Sequence, residues 1–495
     1  MRKSIVLLCL FGLAGCAPDL ESPIREATGP AVVSGPLTLT PIRFATTDYF
    51  LRPAVVRAEE GTLRVPERHA DPGGRQITVH FVRFATTAAD PGPPIVYLAG
   101  GPGGSGTWSS SGDRFPLFQR LREIADVIAY DQRGVWGTEP YLVCPDSWSY
   151  PLDRPEDEAV LREAKRPFLE KCWKHWSSEA DLSAYNTLES VEDLEALRRA
   201  LGAEQLTLWG ISYGTHLGLA YIRMHPERVH RAILAGVEGP DHTYKLPARI
   251  DAVLHRVAEA IRADPRAVRV VPDFVGALDQ ALHRLEREPV TVAVKHPTTK
   301  QEHRVVVGAN DLRRAVYGSL GEREDIVELV EHALPLLQGD YTELGLFALR
   351  SRLDNREIVM SASMDCASGA TSARAELIRE QGRTAILGDV INARLRSTCA
   401  GWPVEDLGDA YRSQVAGSMP VLFLSGSLDV KTPPENAEDL LPGFPRGHHL
   451  IIEGASHDDD LFLSSPRIAD AIVGFLQGEP VVERVELAPL RFALP

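Results

Sequence analysis

The chain has 495 residues, of which 44% are hydrophobic, so it is long enough for one large core and an insertion. Its formal net charge is −15 at pH 7. Binding to a polyanion depends on Lys and Arg contacts, so this charge argues against a nucleic-acid partner.

The first segment is predicted to direct export. Residues 1–3 are Met-Arg-Lys, residues 5–13 are mostly apolar, and residues 13–16 read Leu-Ala-Gly-Cys. A basic start and a short apolar run are typical of a secretory signal peptide. Its end is similar to the bacterial lipobox, in which a cysteine, here Cys16, is lipidated. An ordinary signal peptide with a coincidental cysteine is the alternative, and the run is too short to predict a membrane-spanning helix.

A stretch rich in Pro, Gly and Ser follows. We assign residues 1–16 to the signal peptide and lipobox and residues 17–39 to a tether. The residue after the cysteine is Ala17 rather than Asp, which in Gram-negative lipoproteins indicates the outer membrane. We therefore expect an exported protein of the bacterial cell envelope that is attached to the membrane through an N-terminal lipid anchor.

Buried strands alternate with helices from about residue 90 to 236, which predicts an α/β protein with a mostly parallel, doubly wound sheet. The strand at 94–98 runs into a glycine-rich loop at 99–106. The loop lacks both common phosphate-binding patterns, Gly-x-x-x-x-Gly-Lys-Ser/Thr and Gly-x-Gly-x-x-Gly, so a phosphate site is not favoured. Such a loop can instead offer a backbone N–H to an oxyanion.

The strongest chemical signal is the pentapeptide Gly-Ile-Ser-Tyr-Gly at 210–214, between a short apolar run and a helical pattern at 215–222. This context predicts a nucleophile elbow, a tight strand-to-helix turn that flanking glycines permit and that exposes Ser212 above the sheet. A serine in an ordinary glycine turn is the alternative. His216 and His225 lie on the following helix and are interpreted as helix-face residues rather than bases.

A serine hydroxyl needs a base and an orienting carboxylate, and hydrolases with this elbow carry them later in the chain, with the acid first. Asp429 follows the strand-like run 419–426, and His457 follows the run 449–452. Both therefore lie beyond the carboxyl ends of strands, where active sites of open α/β sheets collect. The alternatives are a turn cap for Asp429 and a metal cluster around His457. No zinc-ligand spacing is clear, so we expect no metal.

A long, mostly helical segment follows the strand at 232–235. We expect it to form a cap at 241–415, inserted between two parts of the core at 40–240 and 416–480, with a tail at 481–495. A cap over an active site excludes water and shapes the substrate pocket.

Two further motifs resemble those of a family. Gly-Gly-Pro-Gly-Gly at 100–104 resembles the Gly-Gly-Pro-Gly motif of prolyl aminopeptidases (proline iminopeptidases), and Asp-Gln-Arg-Gly at 131–134 is similar to their Asp-Gln-Arg-Gly motif. The order and spacing of the three candidate catalytic residues also match. The large insertion and the cysteine placement are closer to the secreted tripeptidyl-aminopeptidase-like branch. The resemblance covers roughly residues 40 to 480.

The resemblance implies the α/β-hydrolase fold, the serine–histidine–aspartate triad described above and no cofactor. It also implies an oxyanion hole made by the backbone N–H groups of Gly101 and Tyr213. Two positions depart from the family pattern. Ala99 stands where His is frequent, and residues 135–138 read Val-Trp-Gly-Thr instead of a run of small residues. These departures leave strict proline selectivity unsupported.

The chain contains six cysteines. Cys9 would leave with the signal peptide and Cys16 would carry lipid, so an even number remains. In an exported chain this indicates disulfides rather than free thiols. Three connectivities are possible, and we favour the pairs that are nearest in sequence. These pairs are Cys144–Cys172 and Cys366–Cys399.

The leading hypothesis is a serine exopeptidase of the prolyl- or tripeptidyl-aminopeptidase type, which acts on peptides with a free N-terminus through an acyl-enzyme on Ser212. Such an enzyme must bind the ammonium group of its substrate, and a carboxylate does so through a charge-assisted hydrogen bond. Glu238, at the entry to the cap, is the candidate, and a solvated turn carboxylate is the alternative. The other hypotheses are a carboxylesterase or lipase and a non-catalytic binding lipoprotein.

Overall fold

The computed structural model describes residues 24–47 and 53–494. Cys16, the signal peptide and residues 17–23 of the expected tether lie outside these ranges, whereas the rest of that segment forms β1, β2 and the start of β3 rather than an unstructured tether. The strands are β1 Ile24–Ala27, β2 Val32–Ser34, β3 Leu37–Thr47, β4 Pro53–Pro66, β5 Gln76–Phe84, β6 Ile95–Leu98, β7 Val127–Asp131, β8 Leu206–Ser212, β9 Val229–Val237, β10 Val290–Lys295, β11 Glu302–Val307, β12 Val421–Gly426, β13 Gly447–Glu453 and β14 Arg484–Glu486.

The helices carry most of the remaining chain. They are α1 Gly106–Ser109, α2 Phe115–Leu121, α3 Glu158–Trp176, α4 Thr187–Ala200, α5 Tyr213–Met224, α6 Pro247–Ala263, α7 Ala267–Val270, α8 Phe274–Arg287, α9 Ala309–Ser319, α10 Arg323–Leu337, α11 Thr342–Arg352, α12 Val359–Ser368, α13 Ser372–Gln381, α14 Val390–Cys399, α15 Gly408–Arg412, α16 Glu435–Leu440, α17 Asp460–Leu463 and α18 Pro466–Gln477. Within the described ranges, no helix is long and apolar enough to cross a membrane.

One sheet of twelve strands runs through the described part of the chain, in the order β1-β3-β4-β5-β7-β6-β8-β9-β12-β13-β14, with β2 paired to β3. The strands from β7 to β14 along this order are parallel, as predicted, and β1 to β5 form an antiparallel extension that the sequence analysis did not foresee. The parallel strands read as continuous apolar runs because helices cover both faces of the sheet.

Alternate side chains of each strand enter two separate cores. In β8, Leu208 packs into the core on one face, and Trp209 packs into the core on the other face. Both side chains are fully buried. The strand is therefore fixed on both sides, which makes its C-terminal end a rigid support for the residues that follow it.

The segment between β9 and β12 has a third core of its own, built from helices such as α6 and α8. It also contains the antiparallel hairpin β10–β11, so it is less purely helical than we expected. The expected C-terminal tail is also part of the fold, because β14 pairs with β13 and Phe492 packs into the third core. The cap boundaries at 241–415 stay a prediction.

Two disulfide bonds tie the helices beside the sheet together. Cys144 is bonded to Cys172 of α3, and Cys366 of α12 is bonded to Cys399 of α14. These are the pairs that proximity in sequence favours.

Candidate active site

Ser212 occupies a sharp turn between β8 and α5. Its backbone has φ 54° and ψ −126°, a conformation that a residue with a side chain rarely adopts. The flanking glycines are required by close backbone contacts, since a Cβ on Gly214 would lie 2.0 Å from the carbonyl oxygen of Leu98. A Cβ on Gly210 would lie 2.7 Å from the oxygen of Gly214. The pentapeptide therefore forms the elbow that its sequence predicts.

Asp429 and His457 are in direct contact. The Nδ1 atom of His457 lies 2.7 Å from Oδ2 of Asp429, and both side chains are buried. The other carboxylate oxygen of Asp429 accepts the backbone N–H groups of Lys431 and Thr432 at 2.9 and 2.8 Å. Asp429 thus caps a turn and also contacts the imidazole. The interpretation as a turn cap and the interpretation as the orienting acid therefore both hold for this residue.

Burial alone would raise the pKa of Asp429, but the charge of His457 and the hydrogen bonds from His457 and Thr432 lower it below its ordinary value. Because the pKa is lowered in the folded state, the ionised carboxylate stabilises the fold at neutral pH. That contribution is lost as the pH falls through the lowered value. The carboxylate is therefore ionised throughout the neutral range.

Sheet register places the histidine beside the strand that neighbours the serine. Ser212 pairs with Val237 of β9, and the neighbouring residue Gly236 lies against the imidazole. A Cβ on Gly236 would lie 2.9 Å from Cε1 of His457 and 2.9 Å from Oγ1 of Thr432. Only a glycine leaves room for the ring at this position, so the imidazole lies against the carboxyl end of β9, the strand that pairs with the end of β8 at Ser212.

The glycine-rich loop packs directly on the elbow. A Cβ on Gly100 would lie 2.9 Å from Cβ of Ser212, and Gly101 has φ 118°. Tyr213 is the first residue of α5, so its backbone N–H has no partner within the helix. The loop and the helix start are therefore adjacent to the serine on the side where backbone N–H donors to an oxyanion are expected.

Asp131, the first residue of the Asp-Gln-Arg-Gly motif, anchors the end of this loop. Its carboxylate accepts hydrogen bonds from the Ser105 hydroxyl at 2.7 Å and from the N–H and hydroxyl of Thr107 at 3.0 and 2.6 Å. His80 lies 2.9 Å from the same carboxylate and 3.0 Å from Glu60. Burial lowers the pKa of His80, but these two carboxylates outweigh burial and raise it. The motif thus holds the loop in place.

Glu238 is buried, so the interpretation as a solvated turn carboxylate is wrong. Its Oε2 atom accepts a hydrogen bond from the ammonium group of Lys245 at 2.6 Å. Burial would raise the pKa of Glu238, but the charges of Lys245 and His216 lower it. The carboxylate therefore already holds one cation, and its Oε1 atom bonds to no residue in the described part of the chain.

The other sequence candidates are engaged elsewhere. His216 is buried, and its ring lies between the backbone oxygen of Gly239, at 3.1 Å, and the hydroxyl of Tyr411. Burial lowers the pKa of His216. His225 contacts Glu192 at 3.0 Å. Both histidines therefore have structural contacts, as their interpretation as helix-face residues implies.

Sequence reasoning missed two residues of the site. Thr432 donates its hydroxyl to Asp429 at 2.8 Å and lies 3.1 Å from Nδ1 of His457. Asp365 of α12 is partly buried, and its carboxyl group forms no hydrogen bond or ion pair with any residue that the structure describes. The signal for Thr432 was its position three residues after Asp429, where a turn cap contacts the chain. Nothing in the sequence distinguished Asp365 from other helix-face acids.

Comparison with known proteins agrees with this geometry. The model of the alpha/beta hydrolase fold family matches residues 93–459. The chain is 27% identical over 436 residues to the serine protease Hip1 of Mycobacterium tuberculosis, covering 80% of this chain and 81% of Hip1. It is 26% identical over 435 residues to tripeptidyl aminopeptidase of Streptomyces lividans, covering 79% and 76%. A probable proline iminopeptidase of Streptomyces coelicolor is 31% identical over 163 residues, covering 32% and 37%.

The matched span contains the elbow serine, the buried aspartate and its histidine. The chain therefore belongs to the alpha/beta hydrolase fold family, within which it is similar to serine peptidases.

Proposed function

We propose that the protein is a serine exopeptidase that releases one or a few residues from the N-termini of peptides. The hydroxyl of Ser212 attacks the scissile carbonyl while His457 accepts its proton and Asp429 orients the imidazole. The backbone N–H groups of Gly101 and Tyr213 stabilise the oxyanion. The proton then passes from His457 to the leaving amine, and water releases the acyl group from the serine.

The observation that carries the exopeptidase proposal is the pair of carboxyl groups beside the elbow. Helix α12 lies over the glycine-rich loop, since Ser361 donates its hydroxyl to the oxygen of Pro102 at 2.5 Å. Asp365 is one helical turn further on and therefore shares that face. Met364 contacts the Tyr213 hydroxyl at 3.1 Å, so the helix reaches the elbow as well. The carboxyl group of Asp365, which has no partner among the described residues, therefore lies on the side of α12 that faces the loop and the elbow.

Burial, and then the charge of Glu238, raise the pKa of Asp365 well above its ordinary value. The uncharged form of the carboxyl group is therefore favoured over the form that it would take in water, and a cation close by would reverse this preference. The ammonium group of a peptide N-terminus would supply that charge and would form charge-assisted hydrogen bonds with Asp365 and with the free Oε1 atom of Glu238. An ester without an amine gains nothing from these groups.

Asp365→Asn is expected to lower kcat/KM for peptides with a free amine by roughly 10- to 100-fold, the range for a hydrogen bond to a charged group. The same peptides with an acetylated N-terminus, and short-chain esters, should be nearly unaffected. The measurement is turnover of aminoacyl- and tripeptidyl-naphthylamides, their acetylated forms and an ester panel.

Glu238→Gln is the variant to compare with Asp365→Asn. It changes the other carboxyl group of the pair, but it also leaves the ammonium group of Lys245 without its carboxylate. We expect a loss on free-amine peptides together with a smaller loss on the other substrates. Equal losses on all classes in both variants would mean that the two acids only support the scaffold. Turnover of esters but of no free-amine peptide by the unmodified protein would favour the carboxylesterase or lipase instead.

We also propose that the protein is attached to the cell envelope through lipid on Cys16. Cys16→Ser is expected to release it into the soluble fraction, because lipidation needs the thiol and a lipid chain supplies the membrane affinity. Immunoblots of membrane and soluble fractions measure this. A Cys9→Ser variant is the control and should remain with the membrane. If Cys16→Ser stays in the membrane fraction, the lipobox assignment is wrong.

A further inference from the structure

Arg114 joins the loop that carries the histidine to the middle of the sheet. It precedes α2, and only 8% of its side chain is exposed. Its Nε atom donates to Asp459, and its two terminal nitrogens donate to Asp458 and to the hydroxyl of Tyr97. The guanidinium also lies 5.1 Å from the ring centre of Phe462. Most of these contacts thus go to residues that closely follow His457.

The loop needs such a support. His457 lies between the end of β13 and the short helix α17, outside regular structure. Asp458 has φ 59°, in the left-handed region that residues other than glycine rarely occupy. Contacts from outside the loop must therefore hold its backbone, and the guanidinium of Arg114 binds the side chains of the two residues next to the histidine.

We propose that Arg114 is a positioning residue for His457, which it serves by fixing the loop through Asp458 and Asp459 and by balancing their charges. The inference rests on the proposed function, because it concerns how the base of that reaction is held.

The charges around the loop predict the direction in which loss of Arg114 shifts the pH profile of the enzyme. Burial raises the pKa of Asp458, but the charges of Arg114, His457 and Lys431 lower it, so the net shift is downward. The charged groups that face this cluster are Asp113 before α2, Glu322 before α10, and Asp429 and Lys431 after β12, together with Asp460 at the start of α17. Without Arg114, the carboxylate of Asp458, which interacts with the charge of His457, would keep Lys431 as its nearby cation and would favour the imidazolium form more strongly.

Arg114→Gln is therefore expected to lower kcat by about 10-fold or more with little change in KM, because the base is no longer held in place. It should also move the acidic limb of the kcat/KM profile to higher pH by roughly half a unit or more. Arg114→Lys keeps the charge but loses the planar fork, so it should lower kcat without moving the limb. The side chains of Asp458 and Asp459 are 50% and 49% exposed, so water can solvate them in either variant.

Arg120→Gln is the matched control. Arg120 lies in α2, the helix that Arg114 precedes, and forms an ion pair with Asp470 of α18, outside the loop that carries the histidine and more exposed to solvent. This variant should keep both kcat and the position of the acidic limb. Thermal unfolding of all three variants shows whether each is folded.

Labelling of the serine by a fluorophosphonate at a series of pH values separates this inference from the proposed function. Failure of the unmodified protein to react at Ser212 would remove the proposed function itself. A reactive unmodified protein, together with Arg114→Gln that keeps its labelling rate, kcat and acidic limb, would overturn the role of Arg114. If Arg114→Gln does not fold, Arg114→Lys tests the role of Arg114 instead. An unchanged kcat in Arg114→Lys would then overturn the inference.

Discussion

Replacing Ser212 with alanine is expected to lower kcat by roughly 10³- to 10⁶-fold while the protein stays folded. The alanine keeps the Cβ atom that packs against Gly100 and removes only the hydroxyl that attacks the substrate. The backbone conformation of the elbow is equally strained for both residues. The residual rate comes from the oxyanion donors and from substrate positioning, which the substitution leaves in place.

The measurement combines steady-state turnover with thermal unfolding and with labelling by phenylmethylsulfonyl fluoride. The reagent should inactivate the unmodified protein and leave Ser212→Ala unlabelled, and chelators should not reduce turnover. Ser110→Ala is the control, because Ser110 is buried and its hydroxyl, among the residues that the structure describes, bonds only to the oxygen of Thr107 in α1. Full activity in Ser212→Ala would remove the serine assignment.

The parts of the fold that could be predicted are those with a local signal. The central parallel strands β6, β8 and β12 are mostly apolar, and β6 and β8 end in motifs whose chemistry requires a particular turn. The elbow is the clearest case, since the glycines at 210 and 214 are dictated by contacts within a few residues of the serine and its neighbouring strand. The disulfide pairs likewise join cysteines that are close in sequence.

The parts that were missed have weaker or more distant signals. Strand β4 contains charged residues at 57, 59 and 60, which pair across the antiparallel sheet instead of following an apolar pattern. The hairpin β10–β11 is a short interruption of a helical region. Its alternating sequence at 290–295 is a strand signal that the surrounding helices obscured.

The sequence predicted those site residues whose residue type alone indicates their chemistry. It did not predict the contacts that depend on a partner elsewhere in the folded chain. Glu238 was identified from its place after β9, but its burial and its bond to Lys245 are properties of the folded chain. The contact of Arg114 with Asp458 joins residues 344 positions apart, so no local pattern could indicate it. Such contacts arise only when the two parts of the core, which the insertion separates along the chain, have packed together.

Replacing Asp429 with asparagine is expected to lower kcat by roughly 10⁴-fold, because the substitution selects the wrong tautomer of His457. In the unmodified protein, one carboxylate oxygen accepts the N–H groups of Lys431 and Thr432, and the other faces Nδ1 of the imidazole. The two N–H groups need an acceptor, so the asparagine must place its carbonyl oxygen there and its NH₂ group toward Nδ1. The NH₂ group can only donate, which leaves Nδ1 without a proton and places the proton on Nε2. The histidine then cannot accept the proton of Ser212.

The pKa of Asp429 is lowered, so its carboxylate stays ionised throughout the neutral range and its own titration does not contribute to a fall in activity toward acid pH. Such a fall is expected because a general base must be unprotonated to accept the serine proton. Asp439→Asn is the matched control, since Asp439 contacts the ring of His242 at 3.4 Å and is 43% exposed. It should keep kcat, and Asp429→Asn should keep its melting temperature within a few degrees while turnover collapses. A kcat for Asp429→Asn within about 10-fold of the unmodified protein would show that the aspartate does not orient the base, since loss of the correct tautomer cannot produce so small an effect.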